Sequence, residues 1–516
     1  MNSEPTVAYS DKRNIAFNDK IASPTYDNGW LDVLGDIERE HQHGKLHLLY
    51  EKYQRSYGDQ GLASNINIPY FDIGRLTNTK IIRDLIIVNN PDDAERMANT
   101  HIKKVSNLEV VLKDSIIATT DVAHWRQQRK AFNPAFSMLT KLKPLIPISE
   151  TRAKYCAEIL WDTYISGPKE ELFLNEPQRQ QLLFDRNVWI RKEVNISEFF
   201  LNETQSQLQL AMFGLSNAFQ EKTNKKIRDA FSGIDEAYAD IFAAELLTEI
   251  EHSNGPLSEA IKERTKNRQS DKEMINNVLI FTFAGHDTTA HTLTWLIYEL
   301  CKNMEYQEEL RREVDVFWNI QKDNPITYED LKRLPFMTRC IMETLRLWPA
   351  LTNGTYRETI ADDYIIGYNG EKVMIPKGTY IQIPNWSRHR NPELWGDDVL
   401  LFNPYRDFKD DELWNNTVIN SYNPSTKRFS PFTYGPRDCI GKNFSQIEMR
   451  IILLHIFKRY HFSLTVMQKI AHSVNEADIG FNSFTLGPRN MYNSKLTDNK
   501  LGLFVDVYKR ETQSKL

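Results

Sequence analysis

Residues 432–441 read Phe432-Thr433-Tyr434-Gly435-Pro436-Arg437-Asp438-Cys439-Ile440-Gly441, and a helical pattern runs on from them to about residue 460. One cysteine lies inside this stretch. Gly435 and Gly441 are expected to supply positive φ angles and Pro436 to stiffen the segment, so that backbone amides curl around a single sulfur. Ile440, Phe444, Ile447, Ile451 and Leu454 recur at spacings of four and three, an apolar stripe that sets Cys439 at a helix start. The positive end of that helix favours a thiolate. An ordinary core cysteine is a small buried hydrophobe and needs neither the glycines, nor Arg437, nor a polar loop. A cysteine held as a ligand needs all three.

The pattern Phe432-x-x-Gly435-x-Arg437-x-Cys439-x-Gly441 resembles, without departure, the haem-ligand signature of the cytochrome P-450 (haem-thiolate monooxygenase) family. The resemblance implies haem b as cofactor, with the Cys439 thiolate as axial ligand to its iron.

Bulk properties are compatible with that. At 516 residues, about 150 per domain would suggest about three domains, yet no linker, repeat or low-complexity tract divides the chain. We expect a polar N-terminal arm over 1–36, one domain over 37–510 and a tail over 511–516. Hydrophobic residues at 41% suffice for a large core, and the net charge of −5 with dispersed basic residues argues against a nucleic-acid partner. Cys156, Cys301, Cys340 and Cys439 have neither disulfide-framework nor CxxC spacing. The first sixty residues contain no apolar run resembling a signal peptide or transmembrane anchor. These features point to a cytoplasmic chain, and an apolar roof would allow peripheral contact with an internal membrane.

Residues 274–302 read as one long helix of about 44 Å at 1.5 Å per residue, apolar over much of its circumference and therefore central. Its middle, Ala284-Gly285-His286-Asp287-Thr288-Thr289, breaks packing rules. A mid-helix Gly costs about 1 kcal/mol relative to Ala, and Asp is rarely buried unpaired. A plain helical Thr288 would bond its hydroxyl back to the carbonyl of Ala284. The segment also resembles the family's oxygen-activation motif, which implies that Asp287 and Thr288 organise proton delivery. His286 and His291 read as ordinary helix residues.

Other stretches take meaning beside Cys439. Trp125 and Arg129 share a face of a helix that opens at Asp121 and is expected to stop near Pro134. Alone they read as a surface cation on an indole, but the family resemblance makes the pair, with Arg357 and Arg437, ligands of the haem propionates. Glu343 and Arg346, spaced i,i+3, resemble the family's Glu-x-x-Arg, with Arg406 as third member of a buried network. Tyr405 stands where the family usually has an acid. Residues 364–368, a turn at Asn369-Gly370 and 373–375 read as a hairpin. Residues 481–487 and 501–508 read as a terminal hairpin, and the charge-rich 164–195 as a surface excursion. The interval 215–270, with helical patterns over 227–250 and 257–268, is short for the family's substrate roof.

The fold class we expect is therefore mainly α with small β-sheets (α+β), a single large haem domain of the cytochrome P-450 type. The implied reaction inserts one oxygen atom from O2 into a lipophilic small molecule, with sterol, fatty acid and terpenoid all open. Ile116, Ile117, Phe283, Ala284, Leu351, Thr352, Phe484 and Thr485 are the expected pocket residues. The chain has no Gly-x-Gly-x-x-Gly or P-loop signature, so electrons from NAD(P)H require a separate flavoprotein or iron–sulfur reductase. Arg126, Lys130, Lys427, Arg428 and Lys442 are candidates for its basic docking face. Two rivals share the superfamily: a haem-thiolate isomerase or dehydratase acting without a reductase, and a non-catalytic haem-binding sensor. The intact Asp287-Thr288 pair argues against both. A scaffold without haem would show no Soret absorption.

Overall fold

The computed structural model describes residues 7–9, 36–37, 39–40, 46–55, 65–73, 80–163, 191–231, 237–266, 271–322, 324–414, 424, 426–465 and 502–510. In chain order the strands are β1 (Val7–Tyr9), β2 (Ile66–Ile73), β3 (Lys80–Ile87), β4 (Arg191–Asn195), β5 (Thr355–Glu358), β6 (Asp363–Ile366), β7 (Lys372–Ile375), β8 (Tyr380–Ile383), β9 (Tyr460–Leu464) and β10 (Phe504–Lys509). The helices of ten residues or more are α1 (Leu46–Arg55), α2 (Pro91–Thr100), α3 (Val122–Ser137), α4 (Leu145–Thr163), α5 (Ile196–Gln207), α6 (Asn217–Phe231), α7 (Ala237–His252), α8 (Pro256–Lys266), α9 (Asp271–Lys302), α10 (Met304–Gln321), α11 (Pro335–Leu347) and α12 (Lys442–Arg459). Helix dominates, and the sheets are small, as a mainly helical α+β fold requires.

The largest sheet runs β1-β3-β8-β5, with β2 antiparallel on β3. Its parallel pair β3 and β8 brings Leu85 opposite Tyr380, far apart in sequence. Ile86, Val88, Ile381 and Ile383 bury one face of it with Ile365, Val373, Met97 and Tyr434. That cluster ties the cysteine loop to the sheet. The other face holds Leu85, Ile87 and Tyr380 with Leu46, Leu49, Tyr50 and Tyr53 of α1.

Helix α9 is the central element. It packs on α5, α7, α10, α11 and α12, and Ala290, Leu293, Leu296, Ile297 and Leu300 are buried. Near its end Trp295 stacks on Trp348 at 4.2 Å, and Trp348 Nε1 donates to Glu299 Oε1 at 2.9 Å, the partner a buried indole requires. Helix α12 lies against α3, α4 and α10. It is buried almost all round, Gln446, Glu448 and Arg450 included, so the apolar stripe seen in sequence understates its burial.

Several sequence expectations are corrected. Helix α3 passes through Pro134 to Ser137, because a proline near a helix end gives up only one N–H bond, here to the carbonyl of exposed Lys130. The surface excursion ends in a strand: β4 pairs with β10, and Val194 is fully buried. Charged neighbours hide its alternation. Strand β10 also pairs with β9, so its described partners are remote strands; residues 481–487 lie outside the described residues, as do Phe484 and Thr485. The short roof forms three helices, α6 to α8, where the pattern gave two.

Candidate functional site

The cysteine loop begins with two left-handed residues, Thr433 at φ 62° and Gly435 at φ 61°. A β-carbon at Gly435 would also come 3.1 Å from the Ala98 carbonyl, a tight approach, so glycine suits the site by conformation first and by space second. Gly441, at φ −86°, does not take the positive angle expected of it; it caps α12, and Thr433 supplies the second left-handed turn. The coil closes on itself when Cys439 N donates to Phe432 O at 2.9 Å and Asp438 N to Gly435 O at 3.0 Å.

Residues far upstream hold the loop. Arg388 Nη1 donates to the Tyr434 hydroxyl at 2.8 Å and its Nη2 to Ser430 Oγ at 2.7 Å, while Ser430 N donates to His389 Nε2 at 3.0 Å. The sequence reading missed Arg388 and His389. Both are fully buried, and a basic run carries no sequence signal that distinguishes a buried brace from a solvated surface.

The Trp125 and Arg129 pair grips the two loop residues just before the cysteine. Arg437 lies 4.6 Å from the centre of the buried Trp125 ring. Arg129 donates 2.7 Å bonds to the Asp438 carbonyl and to Asp438 Oδ1, and Lys442 Nζ reaches Asp438 Oδ2 at 2.8 Å. Residues 437 and 438 are thereby fixed by α3, and Cys439 with them.

Cys439 itself keeps accessible surface, although the protein around it is dense enough for burial to push its thiol above the ordinary value. Asp438 pushes the same way, while the Gly441 N–H, Arg129 and Lys442 pull against them. The surface it exposes therefore opens into the interior. The helix start does not make a thiolate unaided; a cation over the sulfur would.

Helix α9 has an opening of its own. Phe283, Ala284, Gly285 and Thr288 are half-buried, whereas Thr282, His286, Asp287, Thr289, Ala290 and His291 are buried. Ala284 and Thr288 are four apart and share a face, so the gap is a groove at mid-helix. Phe136 connects the two openings: its ring is 5.8 Å from that of Phe281 on α9 and 4.0 Å from where a Gly441 β-carbon would lie.

Thr288 Oγ1 donates to Ala284 O at 2.9 Å. Asp287 Oδ2 lies 3.7 Å from His291 Nδ1, and burial lowers the His291 pKa, which favours the neutral imidazole. His286 is likewise pushed down by burial, its Nδ1 2.7 Å from Thr282 O. Packing does account for Gly285, against the reading of the bare helix: a β-carbon there would come 2.9 Å from a Leu208 methyl.

Arg357 is fully buried on β5, and Nε, Nη1 and Nη2 all lack a hydrogen-bond partner. Its pKa is pushed down to about 9 by burial and by Arg437. Arg437 is also pushed down to about 9, by burial first and then Arg129, with Glu109 pulling the other way. Its Nη2 donates to Thr119 O at 2.9 Å, but Nε is unpartnered. A buried cation without a partner costs several kcal/mol, so this pair is built to meet anions. Haem b, with two carboxylates on a flat apolar ring and an iron that takes a thiolate, fits the residues present.

Glu343, Arg346 and Arg406 form the expected network. Arg346 Nε and Nη2 donate 2.7 Å bonds to the two Glu343 oxygens, and Arg406 Nε reaches Glu343 Oε1 at 2.8 Å. Of the expected pocket residues, Ile116 is buried and its N–H donates to Asn277 Oδ1 at 2.9 Å. Ile117 is exposed, with its carbonyl facing Arg437 Nη1 at 3.5 Å. Leu351 is half-buried, and Thr352 instead lines a small crevice with Tyr50, Glu51 and Trp386. In the proposed docking face, Lys427 pairs with Asp92, Arg428 with Glu412 and Lys442 with Asp438. Arg126 and Lys130 remain exposed.

A central buried helix opened at one groove, a coiled cysteine loop facing inward and the buried Arg357 without an acceptor fit a haem-thiolate class of protein. The sequence model of the cytochrome P450 family matches residues 29–486, and the chain belongs to that family. Among its relatives, human cytochrome P450 4F8 is 35% identical over 191 residues, 37% of this chain and 34% of the relative. Rat cytochrome P450 4F3 is 36% identical over 191 residues, again 37% and 34%. The putative cytochrome P450 CYP13A4 of Caenorhabditis elegans is 29% identical over 292 residues, 54% of this chain and 52% of the relative. The chain thus spans about a third to a half of the length of these relatives.

Proposed function

We propose that the chain is a haem-thiolate monooxygenase that inserts one atom of O2 into a lipophilic small molecule, the other atom leaving as water. Electrons come from NAD(P)H through a separate flavoprotein or iron–sulfur reductase. The observation that carries the reading is the Cys439 thiol, open to the interior on the loop whose Arg437 acts on the unpartnered Arg357.

When bound, haem b would supply the oxygen-transfer chemistry. Cys439 would hold it by the sulfur, and Arg357, Arg437 and Trp125 would hold its carboxylates; Arg129, expected to join them, is engaged by Asp438. The Ala284 to Thr288 groove leaves space for small reactants against α9. Asp287 and Thr288 would hold and move a proton at Thr288 Oγ1. Ile116, Phe283, Ala284 and Leu351 favour an apolar substrate, without choosing among sterol, fatty acid and terpenoid. No described helix is long and apolar enough to cross a membrane; peripheral contact with an internal membrane is part of the proposal. We assign this activity to the domain over 37–510.

The test has two parts. Ferrous protein with carbon monoxide should give the red-shifted Soret band of thiolate ligation, absent in Cys439→Ser. A substrate found by spectral titration against a lipid library should then take up label from isotopic O2 when a reductase is supplied. Product without label would favour an isomerase, and turnover without reductase would do the same.

A further inference from the structure

We infer that Thr204 of α5 is a positioning residue for the segment of α9 that holds the proton. This rests on the proposed role of Asp287 and Thr288 and adds to it a residue on another helix that no motif marks.

Helix α5 meets α9 at the two residues just before Asp287. A β-carbon at Gly285 would come 2.9 and 3.0 Å from the two methyls of Leu208, so the leucine that follows α5 fills the notch left by the glycine of α9. One turn back along α5, Thr204 is fully buried, and its Oγ1 donates to His286 O at 2.9 Å. The same oxygen stands 2.9 Å from Phe200 O, the usual back-bond of a helical threonine. A hydroxyl carries one proton. Were it spent wholly on Phe200, two bare oxygens would face each other in a buried place, where an unpaired polar contact is costly. The proton is therefore at least shared with His286 O.

The His286 carbonyl and the Asp287 N–H belong to one planar peptide unit. Holding that oxygen fixes the plane, and with it the direction in which the Asp287 side chain leaves the helix. Gly285 makes such support necessary, because a glycine inside a helix adds backbone freedom at the place where the groove already opens α9. Within α9 the Ala284 carbonyl is taken by Thr288 Oγ1; the next two residues, Gly285 and His286, are held from outside it by Leu208 and Thr204. The proton-holding pair is thereby braced by a neighbouring helix.

The test uses the full-length protein and two readouts: hydrogen exchange of the backbone over 284–290, with and without haem, and product and peroxide formed per reductant with the lipid selected by spectral titration. Thr204→Val keeps the shape and removes the hydroxyl. Exchange over 284–290 should rise about fivefold, the worth of one hydrogen bond, and product per reductant should fall by a similar factor with the balance appearing as peroxide. The carbon monoxide spectrum and the titration midpoint of the lipid stay at wild-type values. Thr204→Ser restores exchange and coupling, and Ser206→Ala, which removes a hydroxyl on the α6 side of α5, leaves both unchanged. Wild-type exchange over 284–290 in Thr204→Val, with any change confined to α5, means a back-bond to Phe200 alone and overturns the assignment; wild-type coupling in that variant does the same. Should Thr204→Val fail to accumulate, Thr204→Cys, of similar size and only a weak donor, is read in its place by the same outcomes. Coupling that survives in Thr288→Ala sinks the proposed proton role itself, whereas an uncoupled Thr288→Ala beside a coupled Thr204→Val sinks only this inference.

Discussion

Arg406 Nε donates to Glu343 Oε1 at 2.8 Å across 63 residues of sequence, and Glu343 binds Arg346 through both oxygens at the same time. One carboxylate thus meets two guanidiniums, and Asp398 Oδ1 supplies the second counter-charge, accepting from Arg406 Nη1 at 2.7 Å. Other donors go to main-chain carbonyls: Arg346 Nη1 to His389 and Val399 at 2.8 and 2.7 Å, and Arg406 Nη1 to Trp395 at 3.0 Å. Since His389 also braces Ser430 at the head of the cysteine loop, the network supports the site without touching it.

Glu343→Ala should leave Arg346 buried without a carboxylate and Arg406 with Asp398 alone, and breaking such a buried pair costs about 3 to 5 kcal/mol. We expect low yield, poor haem retention and a lowered Tm. Normal expression, haem content and Tm would make the network dispensable.

Arg357→Met should act in opposite directions on the two forms of the protein. Without haem it removes a buried cation that has no acceptor, so the Tm should rise. With haem it removes a carboxylate contact, so haem should dissociate faster. Calorimetry of both forms, with a haem-transfer assay, checks the pair of signs. A lowered Tm in the haem-free form would show that Arg357 has a structural partner there.

These two cases also show how far the sequence could be read. Glu343, Arg346, Cys439 and the Ala284 to Thr289 cluster were legible because their spacing is local and fixed by one helix or one loop. Arg388 and His389 were not. Each is a basic residue that sequence assigns by default to solvent, and contacts with residues 427–434, remote in sequence, hold them inside. The same blindness hid β4 among charges. Gly441 shows a finer limit: glycine permits a positive φ but does not require one, and Thr433 took that role.

Glu448 offers a test by pH. It is fully buried on α12, and burial pushes its carboxyl well above the ordinary value; Glu203 adds to this. The Thr289 hydroxyl pulls weakly the other way, without completing a hydrogen bond to either carboxyl oxygen. The folded state therefore keeps a proton that the unfolded state releases, so its contribution to stability is intact below the unfolded value near 4.5 and is lost as pH rises toward the folded one. Glu448→Gln should match wild type in Tm at the acid end and exceed it increasingly toward neutrality. A gap that does not change with pH would mean that Glu448 is ionised in the folded protein.

Thr288 separates catalysis from structure. Its hydroxyl donates to Ala284 O at 2.9 Å, the back-bond of any helical threonine, yet it stands on the half-open groove of α9 with buried Asp287 beside it. A purely structural threonine loses one helix bond in Thr288→Ala, worth about 1 kcal/mol, and the ratio of product to reductant consumed stays the same. A threonine that holds a proton for the reaction behaves differently. Haem content and the carbon monoxide spectrum stay intact, and reductant is still consumed, but product falls by about 10²-fold or less, the low end of general acid–base contributions. The missing electrons appear as hydrogen peroxide. Thr289→Ala is the control: it removes the neighbouring buried hydroxyl of α9, which faces Glu448 of α12, and should keep product and reductant coupled. Equal coupling in wild type and Thr288→Ala would withdraw the proton role and, with it, the main argument for a monooxygenase over an isomerase.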